Sequence, residues 1–438
     1  MEWRSLYADG FLYFVRVLEH QGFALLEPAR RTVHVLQQLP VVAALRLGVT
    51  RLETLALIYG LSLQLLPLAL TAGCYPLLPR RDKALFLLPL AQYLIGTMAA
   101  SFAPIVEGPV AAGYFWLLLF LILFGRGRLA LAASAVLALP ALFLHETTVL
   151  LMPVLALVCA RRGRGEEGAA ARGVYWALAL WFLAVAVVQA GYIVNPRSVE
   201  RRHDVLTTAR LLFGVGNLNG INVPAALAVA AVVAGLVACR RGDSRAAWRP
   251  VWLFAGLSLA LVLATLAGGE STRLFTPGVQ FAARNLSVIV SLPLAALLLW
   301  SLRAPAGRAL WMRPQAAALV VLLGLGQAGW HAVGVHFWSS FAADFRAVLA
   351  GHRGYVRWPE VIADMTPRQA DRARRLVWSW VNPVASLVLS PGGHVTAIIG
   401  PVDERGWRPF DPADPDQLPR APQFDYAAYV AALAAARR

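Results

Sequence analysis

The stretch 107–165 reads EGPVAAGYFWLLLFLILFGRGRLALAASAVLALPALFLHETTVLLMPVLALVCARRGRG, and it decides the fold class. It contains three apolar runs, at 109–125, 129–145 and 147–160, separated only by an RGR segment and by His145–Glu146. Because a helix of about 20 apolar residues crosses a bilayer core, the pattern predicts transmembrane helices joined by tight turns. The run at 147–160 is short, and with 129–145 it could instead form a re-entrant pair.

The same pattern extends over most of the chain. Of its 438 residues, 58% are hydrophobic and only 15% are charged, whereas a soluble domain is about half apolar and a quarter charged. We therefore expect an all-α polytopic membrane protein with about ten transmembrane helices. The predicted spans lie at about 54–78, 84–105, 109–125, 129–145, 147–160, 174–194, 222–239, 250–268, 285–302 and 315–335.

The charges divide the connecting loops into two sets. The first set carries 16 Lys or Arg residues against 4 Asp or Glu residues; it comprises the loops 80–83, 126–128, 161–172, 240–249 and 303–313. Cation-rich short loops stay in the cytoplasm, so the other loops, and the chain after about residue 335, are predicted to be extracytoplasmic. The cation-rich loops account for most of the net charge of +16. Because membrane topology explains these cations, the net charge gives no reason to expect a nucleic-acid partner. The arginine- and alanine-rich composition favours a bacterial inner (plasma) membrane.

Three regions follow from this topology: an outer-face N-terminal segment with interfacial helices (1–50), a transmembrane bundle (51–335) and a small extracytoplasmic C-terminal α/β region (336–438). The first region has no long apolar core and is not a signal peptide. Either it is translocated or a further transmembrane helix precedes Met1, and we favour the second. Within the third region, SLVLSPGGHVTAIIG (386–400) predicts a β-hairpin, 402–424 irregular chain and 425–438 a short surface helix. The cysteines, Cys74, Cys159 and Cys239, form neither a disulfide pattern nor a zinc motif.

Ionisable residues on the outer side are the candidates for chemistry. Asp9, in YADGFLYF (7–14), precedes an amphipathic stretch that resembles helices lying along the membrane interface. It could act as a general base or a metal ligand. Equally, it could cap the helix that begins near Gly10, because aspartate is a favoured N-cap residue.

A second cluster combines Glu107 with His145 and Glu146 in outer turns. These side chains could bind a divalent metal or relay protons, or they could simply mark turns between apolar helices. The sequence His145–Glu146 lacks the second histidine of the zinc-protease motif, which excludes that motif.

Arginines concentrate in two further outer loops, against the charge trend of such loops. Arg197, Arg201 and Arg202 lie beside His203, and they are either an anion site that suits a phosphate or solvated charges. In the second loop, Arg273 and Arg284 could join the same anion site or pair with Glu270 or another acid.

The chain resembles the GT-C superfamily of membrane glycosyltransferases in the order of its parts. These parts are an outer N-terminal acid, interfacial helices, a many-helix bundle and an outer C-terminal domain. The resemblance covers about residues 5–335, with Asp9 as its motif-like residue, and an acid pair such as DxD is missing. It implies a polyprenyl-phosphate sugar donor and a glycan, lipid or protein acceptor in the cell envelope. In this scheme Asp9 activates the acceptor hydroxyl or helps to hold a metal, and outer-loop arginines neutralise the departing phosphate.

Two other classes remain open at this stage. An O-antigen polymerase or ligase-like protein is also a many-helix bundle with Arg and His on outer loops, but without the N-terminal acid. A membrane transporter or an assembly factor is the non-enzymatic alternative, although the predicted spans lack the charged midplane residues that often mark transport pathways.

Overall fold

The computed structural model describes residues 6–98, 107–194, 277–303 and 308–436, except for residues 8, 310, 378, 379 and 405; beyond these ranges it describes residues 253 and 256 alone. The helices of the N-terminal segment and bundle are α1 (Asp9–His20), α2 (Arg31–Arg46), α3 (Leu52–Ala72), α4 (Cys74–Leu77), α5 (Leu87–Met98), α6 (Glu107–Phe124), α7 (Gly127–Ala138), α8 (Met152–Gly165), α9 (Ala169–Val194), α10 (Pro277–Arg303) and α11 (Pro314–Gly351). The C-terminal region adds β1 (Gly354–Val356), α12 (Trp358–Ala363), α13 (Pro367–Leu376), α14 (Asn382–Leu389), β2 (Ala397–Ile399) and α15 (Ala427–Ala436).

Helices long and apolar enough to cross a membrane occur four times in the described ranges. They are Leu52–Leu77, Glu107–Phe124, Ala169–Val194 and Pro314–Gly351, and shorter apolar helices accompany them. A multi-pass helical membrane protein is thus supported by length and composition. The predicted spans at 222–239 and 250–268 lie outside the described residues, so the number ten remains a prediction.

Proline residues shorten the helices on both sides of the His145–Glu146 turn. Helix α7 has 12 residues, about 18 Å of helix at 1.5 Å per residue. Two 3₁₀ segments, Leu139–Phe143 and Glu146–Leu150, complete the connection to α8. Pro140 and Pro153 each stand in the first turn of their element, where a missing N–H is harmless, whereas they would break a continuous helix. The predicted runs 129–145 and 147–160 are therefore helices with 3₁₀ ends.

Two contacts agree with the grouping of the loops by charge. Arg308 lies 3.7 Å from the Asp82 carboxylate, which joins the loop around 303–313 to that at 80–83. Arg162 donates hydrogen bonds to the carbonyl oxygens of Leu123 and Gly125 at 2.7 and 2.8 Å, and so caps the C-terminus of α6. Both contacts lie within the cation-rich set, at the same end of the bundle.

Helix α2 buries polar side chains together with apolar ones. His34 and Gln38 are buried along with Val33 and Val41, whereas Leu39 is 52% exposed. His34 therefore lies inside the molecule, next to the charges described below.

The predicted hairpin at 386–400 is wrong. Residues Asn382–Leu389 form helix α14, and Ala397–Ile399 pair in parallel with Gly354–Val356. A short apolar run such as SLVLS does not distinguish a buried strand from a buried helix. Pro383 in the first turn favours the helix, and the hydroxyl of Ser386 accepts a hydrogen bond from the Ile399 amide at 3.0 Å, which ties α14 to β2. By contrast, residues 427–436 are helical as predicted.

Helix α1 lies between the C-terminal region and the bundle. On one side, Tyr7 donates a hydrogen bond to the carbonyl of Leu376, and Arg16 donates one to the carbonyl of Pro409 at 2.8 Å. On the other side, Phe14 stacks on Tyr59 of α3 with ring centroids 5.8 Å apart. The start of the chain and its C-terminal region are thus packed together at one end of the molecule.

Candidate functional site

Arg30 joins three segments that are distant in sequence. It ends the short 3₁₀ turn Pro28–Arg30 and is 7% exposed. Its Nη1 donates to Oε2 of Glu107, the first residue of α6, at 2.7 Å. Its Nε donates to Oε2 of Glu146 at 2.9 Å, and its Nη2 donates to the other oxygen of the same carboxylate. This two-pronged pairing is the strongest geometry available to arginine and a carboxylate.

Two histidines complete what we call the Arg30 cluster (Arg30, His34, Glu107, His145 and Glu146). His34 lies one helical turn after Arg30, and its Nε2 is 2.8 Å from Oε1 of Glu107. Nε2 of His145 is 3.8 Å from Oε2 of Glu107. Both imidazoles are 1% exposed, so the cluster is enclosed by protein.

The charges of the cluster hold one another in their ionised forms. Burial on its own would lower the pKa of Arg30, but Glu107 and Glu146 outweigh burial and keep that pKa well above its ordinary value. Burial would likewise raise the pKa of Glu146, but Arg30 and then His145 hold it well below its ordinary value. The ion pair is therefore intact at neutral pH.

Tyr13 connects α1 to the cluster. Its ring lies against that of His34, with centroids 4.3 Å apart. Its pKa is raised well above the ordinary value by burial first, then by the negative charges of Glu107 and Asp9. Tyr13 is four residues after Asp9, so the two share one face of α1. Asp9 and Glu107 thus both raise the pKa of the same phenol.

The structure brings together several residues that the sequence singled out. Glu107, His145 and Glu146 meet in the cluster, and Asp9 stands in the first turn of α1 beside it. A carboxylate in that turn is also favourable for the helix itself. Arg30 and His34 were not among the predicted site residues. Their spacing of four within the amphipathic stretch was the available signal, since it places both on one helical face.

Most of the predicted anion site lies outside the described residues. This applies to Arg197, Arg201, Arg202, His203, Glu270 and Arg273. Arg284 belongs to the backbone of α10, and its side chain is outside the description. The proposed convergence of these arginines therefore remains a prediction.

A metal centre is not formed by the described part of the chain, which contains no group of three or more His, Cys, Asp or Glu side chains placed to hold an ion. Within the cluster, Arg30 occupies the space between the two carboxylates. What these residues can do is hold fixed charge and exchange protons through imidazole.

Comparison with known proteins adds no relative. No family model, no curated protein sequence and no solved structure matches this chain.

Proposed function

We propose that this protein is a membrane glycosyltransferase that moves a sugar from a lipid-phosphate donor to an acceptor on the outer face of the membrane. The observation that carries the proposal is the position of Asp9. It begins α1 at the end of the molecule where Arg30 ties the N-terminal segment to two interhelical turns. The transfer needs a fixed base beside a membrane-embedded donor, and in this proposal Asp9 is that base.

The neighbouring charges support Asp9 in that role. An isolated surface aspartate is a weak base at neutral pH. Asp9 is only partly exposed, and its negative charge, like that of the buried Glu107, raises the pKa of the Tyr13 phenol. In this proposal Asp9 takes the proton of the acceptor hydroxyl as the sugar is transferred.

The donor side is assigned to the arginines that the sequence placed in outer loops. Arg197, Arg201, Arg202, Arg273 and Arg284, with His203, would stabilise the negative charge that develops on the departing phosphate. This role is assigned to them from their positions in the sequence. Mutating these residues tests it separately from the role of Asp9.

The test uses purified protein in lipid nanodiscs with undecaprenyl-phosphate-[¹⁴C]glucose as the donor probe. Release of labelled sugar to an added envelope extract or to water is measured for the wild type, Asp9→Asn and Glu19→Gln. Glu19 lies on the same helix, is also partly exposed and pairs with Arg16, which makes it the matched control. We expect Asp9→Asn to remove at least about 99% of the turnover, because general-base catalysis contributes roughly 10²–10⁴-fold. Equal activity of Asp9→Asn and Glu19→Gln, or no turnover by the wild type, would contradict the proposal.

An O-antigen polymerase or ligase-like activity is the second candidate. It is favoured by the arginine and histidine residues predicted in the outer loops, such as Arg197, Arg201 and His203, which suit a pyrophosphate-linked donor. Replacing the donor probe with an undecaprenyl-pyrophosphate oligosaccharide separates the two. Turnover of this donor that does not depend on Asp9 would favour the second candidate.

A further inference from the structure

Two tryptophans of the C-terminal region, which we call the Trp pair (Trp380 and Trp407), reach the surface together. Their rings are 5.3 Å apart between centroids, with the planes at 77° to each other. Trp407 is 53% exposed, whereas tryptophan is highly buried on average. An indole held at the surface presents a flat apolar face that carries partial negative charge. The Trp pair is therefore a candidate contact surface for a ligand.

The segment that contains Trp407 is bound to helix α1. The carbonyl of Pro409, two residues after Trp407, accepts a hydrogen bond from Arg16 at 2.8 Å. Arg16 follows Asp9 on the same helix, about 10 Å further along its axis. A ligand on the Trp pair would thus lie beside the helix that carries the proposed base.

Charged side chains flank the exposed indole. Arg408 donates a hydrogen bond to Oδ2 of Asp411 at 2.8 Å, and both side chains are partly exposed. Burial and then the charge of Glu404 raise the pKa of the Tyr355 phenol, whereas Arg408 lowers it. A carboxylate accepts hydrogen bonds and a guanidinium donates them. The surface around the indole can therefore bind groups that both donate and accept, such as hydroxyls.

The charges beside Trp407 favour a carbohydrate over a lipid surface as the ligand. Tryptophan is common where a membrane protein meets the headgroups, but segments that bind anionic lipids are rich in Lys and Arg. Residues 402–411, VDERGWRPFD, contain three acids and two cations. A neutral sugar ring suits both features, because its C–H groups pack on an indole face and its hydroxyls bond to charged side chains.

We propose that the Trp pair and the polar side chains beside it form a binding surface for a neutral oligosaccharide. One pyranose ring stacks on the indole of Trp407, and its hydroxyls bond to Arg408 and Glu404. The carboxylates of residues 402–411 disfavour an acidic sugar. The choice of a sugar rests in part on the proposed function, in which this oligosaccharide belongs to the acceptor. Binding itself requires neither a donor nor turnover.

The first experiment measures affinity by isothermal titration calorimetry of the full-length protein in lipid nanodiscs. The probes are maltohexaose, mannohexaose and chitohexaose, and hexagalacturonate is the acidic counterpart. We expect a neutral probe to bind more tightly than hexagalacturonate, and Trp407→Ala to weaken its binding by about fivefold or more through loss of the stacked face. Trp176→Ala is the control, since Trp176 is 39% exposed but belongs to α9. No binding of any neutral probe, or equal losses in the two variants, would overturn the proposal.

A second measurement keeps the proposal testable if Trp407→Ala does not fold. The protein is labelled with 5-fluorotryptophan, and the fluorine NMR signal of Trp407 is identified by its absence from Trp407→Phe. We expect the bound neutral probe to shift this signal and to leave that of Trp176 unchanged. Broadening of the Trp407 signal by nitroxide-labelled lipid, without a response to any sugar, would show that the bilayer covers the indole and would overturn the proposal.

The binding surface and the proposed function can fail separately. Glycosyl transfer without sugar binding at Trp407 would overturn the surface and leave the proposed function standing. Sugar binding at Trp407 by a protein without transferase activity would support the surface and contradict the proposed function.

Discussion

Arg30 contacts both Glu107 and Glu146 through hydrogen bonds of charged groups, and all three side chains are largely buried. Removing the cation leaves two carboxylates in a largely buried site without their partner. The free energy of unfolding therefore depends on Arg30 far more than on an exposed arginine. Lysine is a poor replacement, because it offers one point charge where the guanidinium donates to two carboxylates in a fixed geometry.

We accordingly predict that Arg30→Met lowers the free energy of unfolding by about 3–5 kcal/mol, the range for breaking a buried ion pair. Arg51→Met is the matched control, since Arg51 pairs with Glu53 at 3.3 Å with 79% of its side chain exposed. An exposed pair contributes about 0–1 kcal/mol. Denaturant titration of both variants in detergent measures the difference. Equal losses in the two variants would show that the Arg30 cluster does not stabilise the fold.

The depressed pKa of Glu146 predicts how stability depends on acid. Its carboxylate is stabilised only in the folded state, so its contribution is complete above the ordinary pKa of 4.5 and is lost as the pH falls through the lower folded value. We predict that Glu146→Gln unfolds at a lower temperature than the wild type at pH 7, and that this difference shrinks as the pH falls below about 4. Thermal scans of both proteins from pH 3 to pH 7 measure it, and a constant difference across that range would contradict the prediction.

At the scale of elements, the turn between α14 and β2 depends on two glycines, Gly392 and Gly393, with φ of +60° and +78°. A Cβ atom at Gly393 would collide with the carbonyl oxygen of Gln423. The Gly393 carbonyl also accepts a hydrogen bond from the Asp425 amide at 2.9 Å. The turn thus fixes how the chain around 423–425 returns to the C-terminal region.

We predict that Gly393→Ala destabilises the C-terminal region by more than about 1 kcal/mol, because alanine is strained at positive φ and has no space here. Gly351→Ala is the control: it ends α11, and a Cβ atom there meets no atom within 4 Å. Limited proteolysis followed by mass spectrometry should show earlier cleavage after residue 352 in Gly393→Ala only. Identical digestion of the two variants would contradict this.

The elements also show which parts of the fold follow from sequence. Long apolar runs predicted α3, α6 and α9 to within six residues of their ends, because a span must remain apolar over its length. Local pattern failed for 386–400, where the short apolar run of SLVLS fits either element and tertiary contacts of Ser386 and Asn382 decided for helix. Helix α11 continues to Gly351, beyond the predicted end at 335, since the chain stays helical after it ceases to be continuously apolar.

At the scale of the whole molecule, the candidate site could be predicted only in part, because tertiary packing also determines which side chains meet there. The sequence predicted that Glu107, His145 and Glu146 lie at one end of the bundle, because all three stand in turns on the same side of the apolar runs. The partner that brings them together, Arg30, comes from a segment with no apolar span to fix its place. Only packing of α1 and α2 on the bundle determines that contact, and a pattern of hydrophobic residues does not encode it.

The same packing makes a prediction about topology. Arg16 bonds to the carbonyl of Pro409, and Tyr7 to that of Leu376, so the N-terminal segment and the C-terminal region must lie on one side of the membrane. The contacts of Arg162 and Arg308 place the cation-rich loops at the other end. Positive loops stay in the cytoplasm, which assigns the first side to the exterior.

We predict that single cysteines at the exposed positions His20 and Arg420 react with a membrane-impermeant maleimide in intact cells, whereas one at the exposed Gly165 reacts only after the membrane is opened. The background keeps Cys74 and Cys159, which are buried, and carries Cys239→Ser. Permeabilised cells serve as the control for reactivity at all three positions. Labelling at 165 alone would invert the orientation, and this would also place Asp9 on the cytoplasmic side. Labelling of 20 and 420 from opposite sides would contradict the contact between α1 and the C-terminal region, on which the position of Asp9 beside the Arg30 cluster depends.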